Sequence, residues 1–125
     1  MTKMSKQTFD KIVERAIRRI PGEIRACLDN MSISVQDRPS QELLEEMGMQ
    51  ADDLLLGVYE GVPLPERTVS EPPLYPDVIF LFQEHLEEVC GTPEEMEREI
   101  EITVVHEVAH FLGMDEERLA ELGYA

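Results

Sequence analysis

The sequence has few basic residues for its length. Lys and Arg number 11 against 27 Asp and Glu, so the formal net charge of the 125 residues is −16. Binding to nucleic acid or to an anionic membrane surface needs clustered Lys and Arg, so neither partner is expected. Long apolar runs are also missing. The longest, residues 78–82, has five members, whereas a membrane-spanning helix needs about 20.

Cysteine is scarce as well. Cys27 and Cys90 are the only two and form no metal-type spacing, so we expect reduced thiols buried as small apolar side chains. The basic start of the chain is followed by no apolar stretch of the kind found in export signals. We therefore expect a cytoplasmic protein with one domain over residues 1–125, long enough to bury a core.

The few basic residues are concentrated at one end of the chain. Residues 1–25 hold seven basic and three acidic residues, whereas residues 26–125 hold four basic and 24 acidic residues. A basic helix that packs on an acidic remainder would explain this asymmetry by offsetting self-repulsion. A dedicated binding patch on that helix is the alternative.

Periodicity predicts both helices and strands. The apolar residues from Phe9 to Ile20 recur at helical spacing, and Pro21-Gly22 ends that helix. Residues 31–35, 54–60 and 77–82 are predicted strands, with Gly57 at a bulge or a close backbone approach, and residues 40–47 a short helix capped by Ser40. The proline-rich residues 62–76 predict a long functional or covering loop. The predicted fold is α+β, with a small mixed or mostly antiparallel sheet of three or four strands packed on helices.

The last third of the sequence predicts one long helix. Thr92 is an N-cap, Pro93 suits the first helical position, and Glu95 completes a capping box. Apolar residues continue at helical spacing to Leu112, and Gly113 ends the helix, which gives about five turns and roughly 30 Å. A short helix over residues 116–122 is predicted to follow.

This long helix carries the sequence His106-Glu107-Val108-Ala109-His110. Residues four apart lie on one face of a helix, so the two histidines can present imidazole nitrogens to one zinc ion. Glu107 is then placed to take a proton from a water that the metal has acidified. Shuffling this composition gives such an HExxH pattern in roughly 1 of 100 sequences, so two structural histidines on a capped helix are the competing interpretation.

The residues from His106 to Gly113 match the HExxHxxG start of the metzincin signature, and the chain resembles the small bacterial zincin-like metallopeptidases called minimal zincins. The resemblance extends to residues 55–64, to the strand before the HExxH helix and to residues 114–119, and so covers most of residues 50–120. It implies a zincin-like fold with a central HExxH helix and Zn²⁺ as cofactor.

A zinc site needs a third protein ligand. Metzincins have a histidine at the position of Glu116, where minimal zincins look to use an acidic residue, so the resemblance makes Glu116 the first choice. Asp115 is the alternative ligand, although its short side chain is better suited to capping the last helix.

The resemblance implies a zinc-dependent metallopeptidase with Glu107 as general base. The substrate would be a peptide or an unfolded protein segment, paired with residues 78–82 as the edge strand. The acidic surroundings favour basic or neutral peptides. An oxyanion needs a second electrophile, and the sequence offers four candidates without distinguishing them: Tyr59, Arg67, His85 and Tyr124.

Two other functions are compatible with the sequence. The first is a catalytically weak or inactive zincin-fold module that binds metal or regulates a partner, because a carboxylate ligand makes zinc a weaker Lewis acid than histidine does. The second, an acidic nucleic-acid mimic or interaction protein, rests on charge alone and requires the HExxH pattern to be accidental. Oligomeric state and physiological substrate do not follow from the sequence.

Overall fold

The computed structural model describes residues 3–61 and 77–124 of the chain. It contains helices around a three-stranded mixed sheet, which confirms the α+β class. The elements in chain order are α1 (Lys6–Arg19), α2 (Gly22–Arg25), a 3₁₀ turn (Ala26–Asn30), β1 (Met31–Gln36), α3 (Gln41–Glu46), β2 (Gly57–Glu60), β3 (Asp77–Phe82), α4 (Gln83–Val89), α5 (Pro93–Leu112) and α6 (Glu116–Glu121).

The strand order is β1-β3-β2, with β1 parallel and β2 antiparallel to β3. β3 therefore has a neighbour on both sides, and both of its rows of backbone hydrogen-bonding groups face other strands. The expectation that residues 78–82 form the edge strand that pairs with substrate is wrong. Among the described strands, β2 lies at the edge of the sheet and contacts the HExxH helix α5 directly.

β2 is shorter than predicted and begins at Gly57, because residues 54–56 are not in strand conformation. A Cβ atom at Gly57 would lie 2.7 Å from Thr103 Cγ2 of α5 and 2.9 Å from the Phe80 carbonyl oxygen of β3. The missing side chain allows the long helix to lie against the edge strand. The predicted close backbone approach at Gly57 is thus confirmed.

Substituting Gly57 with alanine should lower the free energy of unfolding by about 1–3 kcal/mol, the usual cost of forcing extra atoms into a packed site. Urea denaturation of wild type and variant measures this difference. Gly22→Ala is the matched control, because a Cβ there meets nothing within 4 Å. Equal stability of Gly57→Ala and wild type would show that the contact between α5 and β2 is loose.

α5 is the central helix and has the predicted bounds. The Thr92 side chain accepts a hydrogen bond from Glu95 N at 3.1 Å, and Gly113 ends the helix with a φ of 69°, a left-handed conformation that suits glycine. The Glu95 carboxylate accepts from Gly91 N at 2.8 Å rather than from the N-cap residue itself. Five of the helix's core side chains are fully buried: Met96, Ile100, Val104, Val105 and Val108.

α1 packs along α5 and brings basic side chains to acidic ones. Arg15 and Arg19 of α1 lie 2.9 and 3.0 Å from the two carboxylate oxygens of Glu97, and Arg19 also lies 2.9 Å from Glu101. The hydrogen bond from Arg19, with the one from Arg15, lowers the pKa of Glu97. These contacts support the interpretation that the basic helix packs on the acidic remainder.

α4 was not predicted. This helix follows β3 without a turn, and its N-cap, Phe82, makes no side-chain capping bond, so the sequence carries no capping signal for its start. Both cysteines are free; Cys90 is buried as predicted, whereas Cys27 is only partly buried. Burial, with nearby glutamates, raises the pKa of the Cys90 thiol to about 11. None of the helices in residues 3–61 and 77–124 is long and apolar enough to cross a membrane.

Candidate metal centre

The last two turns of α5 carry the three HExxH side chains. His106 is half-buried, Glu107 is buried with 9% exposure, and the His110 side chain is 68% exposed. Because residues four apart lie on one face of a helix, His106 and His110 share one face of α5. Glu107 lies between them in sequence and on the neighbouring face, towards β2.

Glu107 is held by the edge strand. Its Oε1 accepts a hydrogen bond from Tyr59 N at 2.7 Å and lies 3.4 Å from His110 Nδ1. The Tyr59 N–H reaches Glu107 because alternate backbone groups of β2 point away from β3. On the sheet side, Phe82 N donates to the carbonyl oxygen of Leu56 at 3.0 Å.

Burial raises the pKa of the Glu107 carboxyl above its ordinary value, while His110, the Tyr59 N–H and His106 oppose the rise. Burial is the largest of these effects, because removing a carboxylate from water disfavours its charged form. A buried carboxyl with a raised pKa binds a proton more readily than a solvated one. This arrangement could therefore hold or move a proton at the Glu107 carboxylate.

His106 is held by the segment that follows α6. Its Nε2 lies 2.6 Å from the Tyr124 carbonyl oxygen, and because a carbonyl can only accept, Nε2 donates this hydrogen bond. The Tyr124 hydroxyl in turn donates to Glu101 at 2.7 Å. Burial and this bond to Glu101 raise the pKa of Tyr124 to about 12.

The two candidates for the third ligand occupy different environments. The Asp115 side chain caps α6 by accepting a hydrogen bond from Arg118 N at 2.9 Å, as predicted. Glu116, in the first turn of α6, is exposed to solvent. Within residues 3–61 and 77–124, no group of three or more His, Cys, Asp or Glu side chains is arranged to hold a metal ion.

The side chains of the motif fit zinc in kind. Two imidazoles and a nearby carboxylate are nitrogen and oxygen donors of the types that zinc binds. The fit is incomplete in the conformation observed, because His106 Nε2 is engaged with Tyr124 and no third donor is assembled among the described residues.

The residues predicted as candidates for a second electrophile differ in their surroundings. Tyr59 lies beside the motif, where its ring meets Phe111 edge-on at 5.9 Å, and its hydroxyl donates to Asp77 at 2.6 Å. The Tyr124 hydroxyl is bound to Glu101. Arg67 belongs to the predicted loop over residues 62–76, which lies outside the described residues.

His85 is the remaining candidate and is buried on α4. Its Nδ1 lies 3.1 Å from the backbone nitrogen of Leu55, in the segment that leads into β2. Through this contact, His85 helps to hold the segment before β2 in place.

Two contacts of the site were missed by sequence reasoning. Both are made by backbone groups, the Tyr59 N–H and the Tyr124 carbonyl. Every residue type has a carbonyl and all but proline have an N–H, so no residue pattern could have predicted these contacts. Only the tertiary approach of β2 and of residue 124 to α5 creates them.

The sequence profile of the zincin-like metallopeptidases matches residues 28–124 of this chain. No curated protein matches this chain significantly. Among solved structures, a conserved hypothetical protein from Thermo thermophilus is similar, with a TM-score of 0.57 and 19% sequence identity over 95% of this chain and 97% of the other. At this identity the likeness shows the fold alone. The profile match spans most of the chain and includes the whole HExxH helix: the chain belongs to the zincin-like metallopeptidase family.

Proposed function

We propose that this protein is a zinc-dependent peptidase in which His106 and His110 hold the metal and Glu107 is the general base. The observation that carries the proposal is the placement of the Glu107 carboxylate. It is buried, held at 2.7 Å by the Tyr59 N–H and adjacent to the His110 imidazole. A solvated glutamate on a structural helix would need none of these contacts.

Zinc, when bound, would acidify a water molecule and polarise a peptide carbonyl. The protein's own residues would supply the proton transfers. Glu107 would accept a proton at its carboxylate and later deliver it to the leaving amine. The Tyr59 N–H would keep one carboxylate oxygen in place and leave the other oxygen to exchange protons.

Glu116 is the proposed third ligand. The Asp115 side chain already accepts a hydrogen bond from Arg118 N as the cap of α6. Ligation of a metal by Asp115 would therefore remove the cap from the start of that helix. Glu116 is exposed in the adjacent turn and would have to approach the imidazoles. That approach would require a shift of α6 or of the Glu116 side chain.

Substituting Glu116 with alanine should therefore weaken zinc binding by more than about tenfold, whereas Asp115→Asn should leave the affinity nearly unchanged. Asparagine is an effective N-cap, so the second variant keeps α6 intact and tests ligation alone. Competition with a chromophoric chelator measures both affinities. The reverse order of effects would identify Asp115 as the ligand.

The proposed substrates are peptides in extended conformation. Of the described strands, β2 has a sheet neighbour on one side only and lies against α5, so an extended chain could pair with the backbone groups of its outer edge that Glu107 does not occupy. Residues 84–125 contain 13 acidic residues and two arginines, which favours basic or neutral peptides. A peptide library with matched acidic and basic members tests this preference.

The second candidate function is a metal-binding or regulatory module without hydrolysis. The observation in its favour is that Glu116, the proposed third ligand, is a carboxylate, which makes zinc a weaker Lewis acid than histidine does. Zinc titration followed by a peptide-library screen distinguishes the two functions. Zinc binding together with cleavage supports the peptidase, whereas zinc binding without cleavage of any member favours the module.

A further inference from the structure

The segment after α6 forms a hydrogen bond with the Nε2 atom of His106. The distance of 2.6 Å between His106 Nε2 and the Tyr124 carbonyl oxygen is shorter than the usual 2.9–3.0 Å of such bonds. Tyr124 is anchored twice more, since its backbone nitrogen donates to the Leu119 carbonyl at 2.9 Å and its hydroxyl donates to Glu101 at 2.7 Å. Residues 122–124, which we call the strap, are thus fixed on α5.

The strap and a metal ion compete for the same atom. A nitrogen that carries a proton and donates it to a carbonyl has no lone pair for a metal. The docked strap also holds the end of α6, the helix that carries the proposed ligand Glu116, and in this arrangement the described residues form no three-ligand group. Release of Tyr124 would free His106 Nε2 and remove one of the contacts that hold the end of α6.

We propose that docking of Tyr124 on His106 and metal binding at His106 exclude each other, so that the strap is an autoinhibitory contact displaced by the metal. The inference rests on the proposed function only in its assignment of His106 as a ligand. Metal affinity is then set in part by the anchors of the strap, which lie away from the ligands themselves.

The anchor on α5 belongs to a network that reaches α1. Glu101 is buried, accepts the Tyr124 hydroxyl and lies 2.9 Å from Arg19. Because the hydroxyl binds a charged acceptor, this bond is stronger than one between neutral groups. Removing the hydroxyl should loosen the strap while leaving the tyrosine's ring packed against the core.

The experiment compares zinc affinity in the full chain, measured by chelator competition at fixed pH. Tyr124→Phe should bind zinc at least about fivefold more tightly than wild type, the lower end of common coupling between sites. Tyr124→Ala should bind more tightly still. Glu97→Gln is the matched control, because Glu97 also pairs with Arg19 and lies one helical turn from Glu101. The zinc affinity of this variant should stay within about twofold of wild type.

Coupling is reciprocal, so zinc should also weaken the strap. Hydrogen exchange of the Tyr124 amide, which is bonded to Leu119, should become faster when zinc is added to wild type. Imidazole NMR of the metal-free protein should place the His106 proton on Nε2. Both readouts are independent of enzymatic activity.

Four results would overturn the inference. Lower zinc affinity in both Tyr124 variants would mean that the carbonyl orients the ring for binding through Nδ1. Unchanged affinity, or exchange at Tyr124 that zinc slows or leaves unchanged, would mean that the two events are independent. Failure of wild type and of Tyr124→Ala to bind any zinc would refute the ligand assignment itself. Zinc binding with strap release but no cleavage would refute only the peptidase proposal.

Discussion

Glu107→Gln should abolish peptide cleavage while the variant still binds zinc as tightly as wild type. Glutamine keeps the shape of glutamate and an oxygen that can accept the Tyr59 N–H, but it cannot take up a proton. General-base catalysis contributes about 10²–10⁴-fold to a rate, so the cleavage rate should fall by at least that factor. Assay of the best peptide from the library measures the fall.

The control for Glu107→Gln is Glu87→Gln. Glu87 lies on α4, outside the HExxH motif, is similarly buried at 5% exposure, and accepts a hydrogen bond from the backbone nitrogen of Met4. This variant should retain cleavage. Undiminished cleavage by Glu107→Gln would exclude Glu107 as the base, because the isosteric change leaves no proton acceptor at that position.

His110→Ala should weaken zinc binding by more than about 100-fold, beyond the 10–100-fold that loss of a supporting contact costs. A ligand contributes a coordination bond, whereas a supporting group only orients one. The His110 side chain is 68% exposed, so its removal should have little effect on stability. Chelator competition measures the affinity, and thermal unfolding of the metal-free variant verifies the fold.

His85→Gln is the control for the histidine experiment. His85 is the one histidine of the sequence outside the motif, and it contacts the backbone at Leu55. The zinc affinity of the His85→Gln variant should equal that of wild type after correction for any unfolded fraction. If His110→Ala and wild type bound zinc equally, zinc would have to bind elsewhere and the HExxH assignment would be wrong.

The long helix was predictable from its sequence. Thr92 and Pro93 mark its start, Gly113 marks its end, and the apolar spacing continues through a β-branched stretch that would also suit a strand. Capping satisfies backbone groups locally, so these signals do not depend on distant parts of the chain. The cap at Asp115 was predictable for the same reason.

The edge strand was not predictable. Residues 78–82 and 57–60 both have strand-forming composition, and composition does not say which has two neighbours. The observed order β1-β3-β2 results from packing between elements that are distant in sequence. Because of this order, β2 and not β3 is the strand proposed to pair with substrate, and the Tyr59 N–H of β2 contacts Glu107.

The sequence by itself determined the two imidazoles and the carboxylate of the motif, because their spacing on one helix fixes their relative positions. Only the tertiary structure decided what each of them contacts. Glu107 is bound by a backbone N–H of the edge strand and His106 by the carbonyl of Tyr124. Backbone groups are the same in nearly every residue, so contacts made through them follow from how the chain folds and not from its residue types.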